Sequence, residues 1–451
     1  MYDLLVIGGG PGGYNAAERA AAKGLKTCVV EKRALGGVCL NEGCIPTKTL
    51  LYSAKIYDYA KHSKDYGVTF EGAKLDHAAI IERKNKVVKT LVSGVGAKMK
   101  AGKIDVVYET AAILGREGDA FRVQAGDQVL EAKRLLIAAG SEPTLPPIDG
   151  LYDSLANGFA MTNREILDMK EVPKKLAVVG GGVIGLEITS YFNSIGTEVT
   201  VLEMLDHIAG PTEREISEML KKEYASRGVN FLLGAQVTSI KDGKVSYKMN
   251  GEDKAVEADK VLVSIGRRAS TKGLGLENIG VLTERGAVVT DEFCKTNVPG
   301  VWACGDVNGK IMLAHTAYRE GEVAVDNMTG GHDRVNYNSI PSVIYTNPEV
   351  ASVGETTESA KAKNLDVSIK TLTLRYSGRY IAENEGGKGI LKVVLDNQHN
   401  KVLGVHIYGT YASEIIYGAA MMVDREMRTS DIQKFVFPHP TVCEVLREAI
   451  F

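Results

Sequence analysis

Apolar and polar positions follow the same order in two separate parts of the chain. Residues 3–32, DLLVIGGGPGGYNAAERAAAKGLKTCVVEK, contain an apolar run, a glycine-rich turn, a stretch with apolar residues at helical spacing, and a second apolar run. Residues 175–204, KLAVVGGGVIGLEITSYFNSIGTEVTVLEM, repeat this order. Short, almost continuous apolar runs predict buried strands, so each stretch predicts a strand–helix–strand unit with parallel strands.

The glycines of the first unit have the GxGxxG spacing of dinucleotide-binding turns. Gly8 permits the turn, Gly10 lets the backbone approach a pyrophosphate, and Gly13 allows the helix to pack closely on the strand. Glu31, about twenty residues further on, is placed to accept a hydrogen bond from a ribose hydroxyl. One such match is a weak signal, because ordinary strand-to-helix turns also contain glycines.

The second unit repeats both features, which argues against coincidence. Gly180, Gly182 and Gly185 have the same spacing, and Glu203 ends the second apolar run. The following residues 204–210, MLDHIAG, contain no arginine that would meet a 2′-phosphate, so this site is predicted to favour NAD over NADP. Two dinucleotide sites in one chain suggest a relay from NAD through a bound flavin.

Length and composition limit the classes of protein to which the chain can belong. Its 451 residues exceed a single hydrophobic core, so we expect several domains. A formal net charge of −2 gives no basic footprint for nucleic acid or an anionic membrane. No apolar run is long enough to span a membrane, and no basic leader precedes the first predicted strand. We therefore expect a cytoplasmic protein.

Two cysteines five positions apart stand out in residues 36–48, GGVCLNEGCIPTK. On a regular helix the Cα atoms of Cys39 and Cys44 would lie about 8.6 Å apart, whereas a disulfide spans at most about 7 Å. A bridge between them therefore requires a distorted backbone, which Asn41 and Gly43 are the residue types to allow. A strained bridge is easily reduced, which favours a redox role.

Two alternative roles for the cysteine pair remain open. A metal site would need further ligands, and no second cysteine pair or Cys/His cluster is present, so we expect no metal. A buried structural thiol pair is the second alternative. Three further cysteines are isolated in the sequence and are most simply interpreted as buried small hydrophobic residues: Cys28, Cys294 and Cys304.

If the pair is redox-active, its two sulfurs are expected to differ. Pro46 suits the first turn of a helix, which places Cys44 at the helix N-terminus, where the macrodipole favours a thiolate. Cys39 is then the sulfur that exchanges with substrate. Lys48, one turn further, either supplies positive charge or is a solvated helix lysine.

Taken with the two glycine turns, the cysteine segment resembles the FAD-linked pyridine nucleotide–disulfide oxidoreductases, in particular the members that oxidise dihydrolipoyl groups. The similarity extends over nearly the whole chain. Five further segments carry it: LLIAAGSEP (135–143), LVSIGRRA (262–269), VWACGDV (301–307), LAHTAYREG (313–321) and IPSVIYTNPEVASVG (340–354).

The resemblance implies roles for residues in these segments. Gly140 and Gly266 would lie in the two strands that cross between domains, and Asp306 would bind the flavin ribitol. The helix beneath the flavin would begin near Ala314, with His315 near the ring. The family also pairs two residues beside the flavin, which correspond to Lys48 and Glu187.

The final residues 437–451, FPHPTVCEVLREAIF, contain the remaining candidate chemistry. The helical conformation is disfavoured for a residue before proline, and Pro440 is expected to start a helix, which would hold His439 at a fixed edge. A lone histidine is more often structural than catalytic. The resemblance favours an acid/base pair of His439 and Glu444 that reaches across a dimer interface. Cys443 departs from the family, which commonly has serine or another small residue here; it is a buried isostere or a third thiol.

The expected fold class is α/β, with two Rossmann-like dinucleotide-binding domains for FAD and NAD and an α+β C-terminal dimerisation domain. Residues 1–145 and 266–336 would form the FAD-binding part, residues 146–265 the NAD-binding domain and residues 337–451 the interface domain.

The resemblance also implies a reaction and partners. A homodimer would oxidise a dihydrolipoyl group on a protein of a 2-oxoacid dehydrogenase or glycine cleavage complex and reduce NAD+. One alternative is an NAD(P)H-dependent reductase of another disulfide. Another is a non-catalytic nucleotide-binding protein whose only role is docking to such a complex.

Overall fold

A computed structural model describes all 451 residues. The strands of its first two thirds are β1 (Leu4–Ile7), β2 (Thr27–Val30), β3 (Asp105–Val107), β4 (Ala111–Glu117), β5 (Ala120–Ala125), β6 (Gln128–Ala132), β7 (Leu135–Ile137), β8 (Ser141–Pro143), β9 (Ala160–Met161), β10 (Lys175–Val179), β11 (Glu198–Glu203), β12 (Asn230–Leu233), β13 (Gln236–Lys241), β14 (Lys244–Met249), β15 (Glu252–Glu257), β16 (Lys260–Val263) and β17 (Arg267–Ala269). The remaining strands are β18 (Thr283–Glu284), β19 (Ala287–Val288), β20 (Val301–Ala303), β21 (Ser342–Ile344), β22 (Glu349–Gly354), β23 (Val367–Thr373), β24 (Ile390–Asp396) and β25 (Val402–Gly409).

The α-helices fall between these strands and at the end of the chain. They are α1 (Pro11–Ala22), α2 (Gly37–Glu42), α3 (Cys44–His62), α4 (His77–Ala101), α5 (Leu151–Ala156), α6 (Asn163–Ile166), α7 (Val183–Ser194), α8 (Arg214–Ser226), α9 (Ala314–Met328), α10 (Thr357–Ala362), α11 (Gly378–Glu383), α12 (Ala412–Asp424), α13 (Thr429–Ile432) and α14 (Glu444–Ile450). None of these helices combines the length and the apolar character that crossing a membrane requires.

The chain forms two compact units, and residues 50–80, which the sequence assigned to the FAD-binding part, fall in the second unit. The first unit comprises residues 1–49, 81–144 and 266–335. The second comprises residues 50–80, 145–265 and 336–451, so that the segments assigned to NAD binding and to the interface share one unit.

Each unit contains a five-stranded parallel sheet in which a glycine-turn strand is central. In the first unit the strand order is β20-β7-β1-β2-β3, and in the second it is β12-β11-β10-β16-β9. Strands β1 and β10 are each flanked on both sides by strands that come later in the chain. A topological switch point therefore lies at the carboxyl ends of these two strands. All four residues of β1 are buried, as strands covered on both faces require.

The last part of the second unit is built on an antiparallel sheet with the order β21-β22-β25-β24-β23. Its core contains residues such as Leu391, Val405, Ile407 and Ile416, each at most 2% exposed. The α/β fold class with a C-terminal α+β domain is therefore confirmed.

A buried ion pair stabilises the second unit. The Lys392 ammonium lies 2.6 Å from Glu213 Oε1 and 2.8 Å from Glu215 Oε2, and the Lys392 and Glu213 side chains are only 9% and 1% exposed. The Thr357 amide donates to the second oxygen of Glu213 at 2.8 Å. Loss of one partner would leave an uncompensated buried charge, so this pair holds the start of α8 against β24 and α10.

His406 lies opposite Lys392 in the sheet and should make stability depend on pH. Its Nε2 is 2.8 Å from the Glu355 carbonyl and donates to it, while the buried Nδ1 has no hydrogen-bond partner. Burial lowers the pKa of His406 from 6.5, and the neighbouring Lys392 adds to this effect, although the Glu355 contact and Glu213 oppose it. The folded protein therefore binds this proton less readily than the unfolded chain.

The contribution of neutral His406 to the free energy of unfolding should be fully present above pH 6.5. Below pH 6.5 the free energy of unfolding should fall by about 1 kcal/mol per pH unit until the pH reaches the lower pKa of His406 in the folded protein. Urea unfolding at pH 7.5 and pH 5.5 measures this change. His406→Gln retains a donor for Glu355 and should lose part of the pH dependence. Identical pH dependence in both proteins would contradict the assignment.

Candidate active site

The two cysteines of the GGVCLNEGCIPTK segment lie on two helices that Gly43 separates. Cys39 is in the middle of the short helix α2, and Cys44 is the first residue of α3, with Pro46 in its first turn. Gly43 has φ −148° and ψ −108°, which breaks the helix. Asn41 is helical and its amide donates to the Gly37 and Leu35 carbonyls, so the expectation that it distorts the backbone is wrong.

The break brings the two sulfurs together. Both are free thiols in this structure, and they are hydrogen-bonded to each other. This hydrogen bond with Cys44, and then burial, raise the pKa of the Cys39 thiol well above its ordinary value, whereas the charge of Lys48 lowers it. Lys48 therefore acts electrostatically on Cys39.

A pair of tyrosines lies within electrostatic reach of the cysteines. The hydroxyl groups of Tyr14 on α1 and Tyr318 on α9 are hydrogen-bonded, and their ring centroids are 5.8 Å apart at an interplanar angle of 65°. Burial raises the pKa of Tyr14, and the contact with Tyr318 and the nearby Cys39 and Cys44 raise it further. The tyrosines therefore remain neutral hydrogen-bonding groups beside the redox pair.

The first glycine turn has the shape that a pyrophosphate requires. A Cβ atom at Gly8, where φ is +107°, would lie 2.3 Å from the Ala138 carbonyl oxygen, and one at Gly13 would lie 1.9 Å from the Gly8 oxygen. At Gly10 the nearest heavy atom would be 3.8 Å away, so this glycine leaves space above the helix N-terminus. Both carboxylate oxygens of Glu31 accept from backbone amides, and ionised carboxylate oxygens retain further acceptor capacity.

The second glycine turn repeats this geometry closely. A Cβ atom at Gly180 would lie 2.5 Å from the Ser264 oxygen and one at Gly185 would lie 2.1 Å from the Gly180 oxygen, whereas Gly182 has no atom within 4 Å. The Gly181 and Leu205 amides donate to the two oxygens of Glu203 at 2.7 and 2.8 Å. The same arrangement in two units supports a dinucleotide at each turn.

The loop that contains Asp306 is held from two sides within the first unit. The Ser141 hydroxyl donates to Asp306, and Arg267 donates to the Ser141 hydroxyl at 2.7 Å and lies 4.0 Å from the Asp306 carboxylate. From α9, the fully buried Glu320 accepts from the Gly305 amide at 2.5 Å. Asp306 is therefore fixed next to the paired strands β8 and β17.

The glycines predicted to mark the crossing strands lie directly before those strands. Gly140 and Gly266 have φ +72° and +113°, and β8 and β17 pair antiparallel. Helix α9 begins at Ala314, as expected for the helix near the flavin, and His315 is its second residue. A 15-residue helix whose N-terminal amides start at Ala314 suits a polar edge of a flavin ring.

The C-terminal histidine and glutamate form the predicted pair. His439 Nδ1 lies 2.8 Å from Glu444 Oε1, and the His439 side chain is 79% exposed. The Thr441 amide donates to the other oxygen of Glu444 at 2.8 Å, and this contact and His439 lower the pKa of that carboxyl. Glu444 is therefore an ionised group that orients the ring through Nδ1.

One expectation about this segment is wrong. Pro440 does not start a helix, because α14 begins at Glu444 and Pro440 lies in a bend after a cis peptide bond with His439. The half-buried Cys443 has its sulfur 3.0 Å from the Thr441 hydroxyl. In contrast, Cys28, Cys294 and Cys304 are at most 1% exposed, as expected of buried hydrophobes.

Glu187 lies on α7 within the second unit. Its side chain is 3% exposed, and its carboxylate accepts from the Tyr345 amide at 3.0 Å. A buried carboxylate directly after a nucleotide-binding turn is unusual, and this contact fixes its orientation.

Comparison with known families agrees with this geometry. Residues 2–321 match the family described as pyridine nucleotide-disulphide oxidoreductase, and residues 340–450 match the dimerisation domain of the same family. The chain belongs to this pyridine nucleotide-disulphide oxidoreductase family.

Individual oxidoreductases are similar to the chain over almost its whole length. Proteins named dihydrolipoyl dehydrogenase from Mycoplasma pneumoniae and Bacillus subtilis are 39% and 38% identical to it, covering 99% of this chain in both cases and 97% and 95% of their own length. The structure of LpdA from Mycobacterium tuberculosis has a TM-score of 0.89 at 25% identity over 99% of this chain and 98% of its own. The HOCl-induced flavoprotein disulfide reductase RclA from Escherichia coli has a TM-score of 0.86 at 27% identity over 100% of this chain and 99% of its own.

The structure of this oxidoreductase also assigns positions to four side chains that the sequence did not indicate. Tyr14 and Tyr318 flank the cysteines, and Arg267 and Glu320 hold the Asp306 loop. Only Glu320 gave a usable signal, because it interrupts an apolar helical face on α9. The other three are recognisable only from distances between segments that are far apart in the chain.

Proposed function

We propose that this oxidoreductase is a dihydrolipoyl dehydrogenase that oxidises protein-bound dihydrolipoamide and reduces NAD+ through the Cys39–Cys44 pair. The observation that carries the proposal is the pair itself: two hydrogen-bonded thiols with different environments at the start of α3. Relatives with that name at 34–39% identity, aligned over at least 99% of this chain, support the same substrate class.

FAD, when bound, supplies a two-electron acceptor between the dithiol and NAD+. The residues that would hold it are those of the first glycine turn, Glu31, Asp306 and the start of α9 at Ala314 and His315. The second glycine turn with Glu203 would hold NAD. Lys48 and Glu187 are proposed to pair beside the flavin, where a fixed cation and carboxylate tune the electron transfer.

The protein's own groups carry out the thiol chemistry. His439 Nε2 takes the proton of one substrate thiol, and the resulting thiolate attacks Cys39 of the oxidised pair, which breaks the Cys39–Cys44 bond and releases Cys44 as a thiolate. The second substrate thiol then attacks the mixed disulfide, so that the lipoyl disulfide closes and Cys39 leaves with a proton. Two electrons and two protons have then left the substrate.

We infer that the working enzyme is a homodimer. The matched dimerisation domain and the 79% exposure of the His439 side chain support a histidine that acts on the disulfide of the opposite subunit. The substrate would be a lipoyl-bearing protein of a 2-oxoacid dehydrogenase or glycine cleavage complex. We propose that the reaction takes place in the cytoplasm.

Rates with different thiols and disulfides test the proposal. Dihydrolipoamide with NAD+ should give a kcat/KM at least about 100-fold above that of glutathione disulfide with NADH or NADPH, because a substrate with both thiols on one chain closes its disulfide intramolecularly. Higher efficiency with glutathione disulfide or another disulfide would instead establish the reductase alternative. A colourless protein without bound flavin would exclude both.

The position of Glu203 predicts the choice of nucleotide. A carboxylate that accepts from a ribose hydroxyl repels a 2′-phosphate, so kcat/KM should be at least about tenfold higher with NAD+ than with NADP+. Glu203→Gln should narrow this ratio. Glu198→Gln changes an exposed glutamate at the other end of β11 and serves as the control that should leave the ratio unchanged. Equal use of both nucleotides by the unmodified enzyme would refute this role of Glu203.

A further inference from the structure

One aspartate in the turn after β11 binds an arginine and a histidine. Arg214, the first residue of α8, folds back onto Asp206, with Nη2 2.6 Å from Oδ2 and Nη1 3.2 Å from Oδ1. His207 Nδ1 lies 2.7 Å from Asp206 Oδ1, and its Nε2 lies 3.1 Å from the Gly210 carbonyl oxygen. Residues 204–210 contain no arginine, but the fold brings Arg214 next to this turn, where the Asp206 carboxylate binds it.

The turn lies directly beyond the acid that marks the ribose position. The Gly181 and Leu205 amides fix the Glu203 carboxylate, and the chain reaches Asp206 three residues later. Met204 and Leu205 are 66% and 47% exposed, so the turn is open to solvent. In dinucleotide-binding folds, an arginine near this acid is what accommodates a 2′-phosphate.

We propose that Asp206 is a specificity-determining residue, which binds Arg214 and His207 and so prevents them from binding the 2′-phosphate of NADP. The inference rests on the proposed NAD specificity and adds a second determinant to Glu203. Asp206 acts through its two oxygens, which occupy the guanidinium that would otherwise receive the phosphate.

The electrostatics of the cluster agree with this role. The contacts with Arg214 and then with His207 hold the pKa of the Asp206 carboxyl well below its usual range, so the carboxylate persists throughout the working pH range. The Asp206 and Arg214 side chains are 76% and 41% exposed. Exposed ion pairs are individually weak and screened by salt, so one charge-neutralising substitution should suffice to release the arginine.

The test measures binding of two small probes to the FAD-loaded protein by calorimetry. Adenosine 2′,5′-bisphosphate carries the 2′-phosphate, and adenosine 5′-monophosphate lacks it. Asp206→Asn should improve the affinity for the bisphosphate relative to the monophosphate about tenfold, and kcat/KM with NADP+ should rise in parallel. Asp253→Asn, an exposed aspartate on β15, is the matched control and should leave the ratio unchanged.

Two arginine variants complete the experiment. Arg214→Gln alone should change the probe ratio less than twofold, because the guanidinium is masked in the unmodified protein. The double variant Asp206→Asn, Arg214→Gln should lose most of the gain. No gain in Asp206→Asn, a gain that survives in the double variant, or a large loss in Arg214→Gln alone would each overturn the inference.

Failure of the proposed function gives a different result. If the unmodified enzyme uses NADP+ as well as NAD+, the nucleotide assignment itself is wrong, whatever the variants do. If the unmodified enzyme prefers NAD+ and the probe ratio does not move in Asp206→Asn, only the role of Asp206 is wrong.

Discussion

His439→Gln should lose activity with dihydrolipoamide by about 100- to 10,000-fold, the range that a general base contributes. Glu444 holds Nδ1 at 2.8 Å, so Nε2 is the nitrogen that takes the substrate proton. Glutamine has no basic nitrogen and cannot replace it. NADH oxidation by small artificial acceptors, which take electrons without a thiol step, should fall much less.

The size of the effect distinguishes a base from a structural histidine. Glu444→Gln should leave the imidazole ring of His439 in place but orient it poorly. We expect an intermediate loss of activity with dihydrolipoamide and a shifted pH–rate profile. The activity of His439→Gln should also lose the acidic limb of that profile. A loss below tenfold with an unchanged profile would show that His439 is not the base.

Mixed dimers test whether the base acts across the interface. Equal amounts of Cys44→Ser and His439→Gln, dissociated and reannealed, should give about a quarter of normal activity, because half of the dimers then contain one intact site of two. Verified mixed dimers without activity would place both residues in the site of one subunit. Unmixed samples of each variant provide the baseline.

Substitution of either active cysteine should abolish dihydrolipoamide oxidation, with losses of about 10,000-fold or more, because no other group can replace the attacked disulfide. Cys443→Ser is the matched control, since it also removes one thiol but lies outside the proposed thiol pathway. It should retain activity close to that of the unmodified enzyme.

A spectrum separates the roles of the two cysteines. A thiolate next to oxidised flavin gives a long-wavelength absorption band, and we expect this band in Cys39→Ser but not in Cys44→Ser. Cys44 begins α3, where the helix dipole favours a thiolate, whereas burial would keep Cys39 protonated even without its partner. A band that survives in Cys44→Ser and disappears in Cys39→Ser would reverse the assignment.

Local patterns in the sequence were sufficient to predict the parts of the site that local geometry forms. The glycine turns are one example, because a Cβ atom at Gly13 or Gly185 would lie within 2.1 Å of the carbonyl oxygen of the first glycine of the same turn, and no larger residue fits there. The break at Gly43 was also predictable, since two cysteines five apart cannot meet on one helix.

Predictions made from residue type alone were wrong at Asn41 and Pro440. Asn41 allows distortion as a residue type, but its side-chain amide instead donates to the Leu35 and Gly37 carbonyls, and the residue is helical. Pro440 suits a helix start, yet α14 begins at Glu444, whose carboxylate is needed for the Thr441 amide and for His439. In both cases side-chain hydrogen bonds decided between conformations of similar propensity.

The sequence by itself determined the α/β class, the two nucleotide turns, the acids that end their second strands, and the redox pair, because each depends on residues within about 30 positions of one another. The tertiary structure alone decided which distant groups surround them. Tyr14 meets Tyr318, Arg267 reaches Ser141 beside Asp306, and Arg214 returns to Asp206. Such contacts follow from how strands and helices pack, and packing depends on the whole hydrophobic core rather than on the spacing of any one motif.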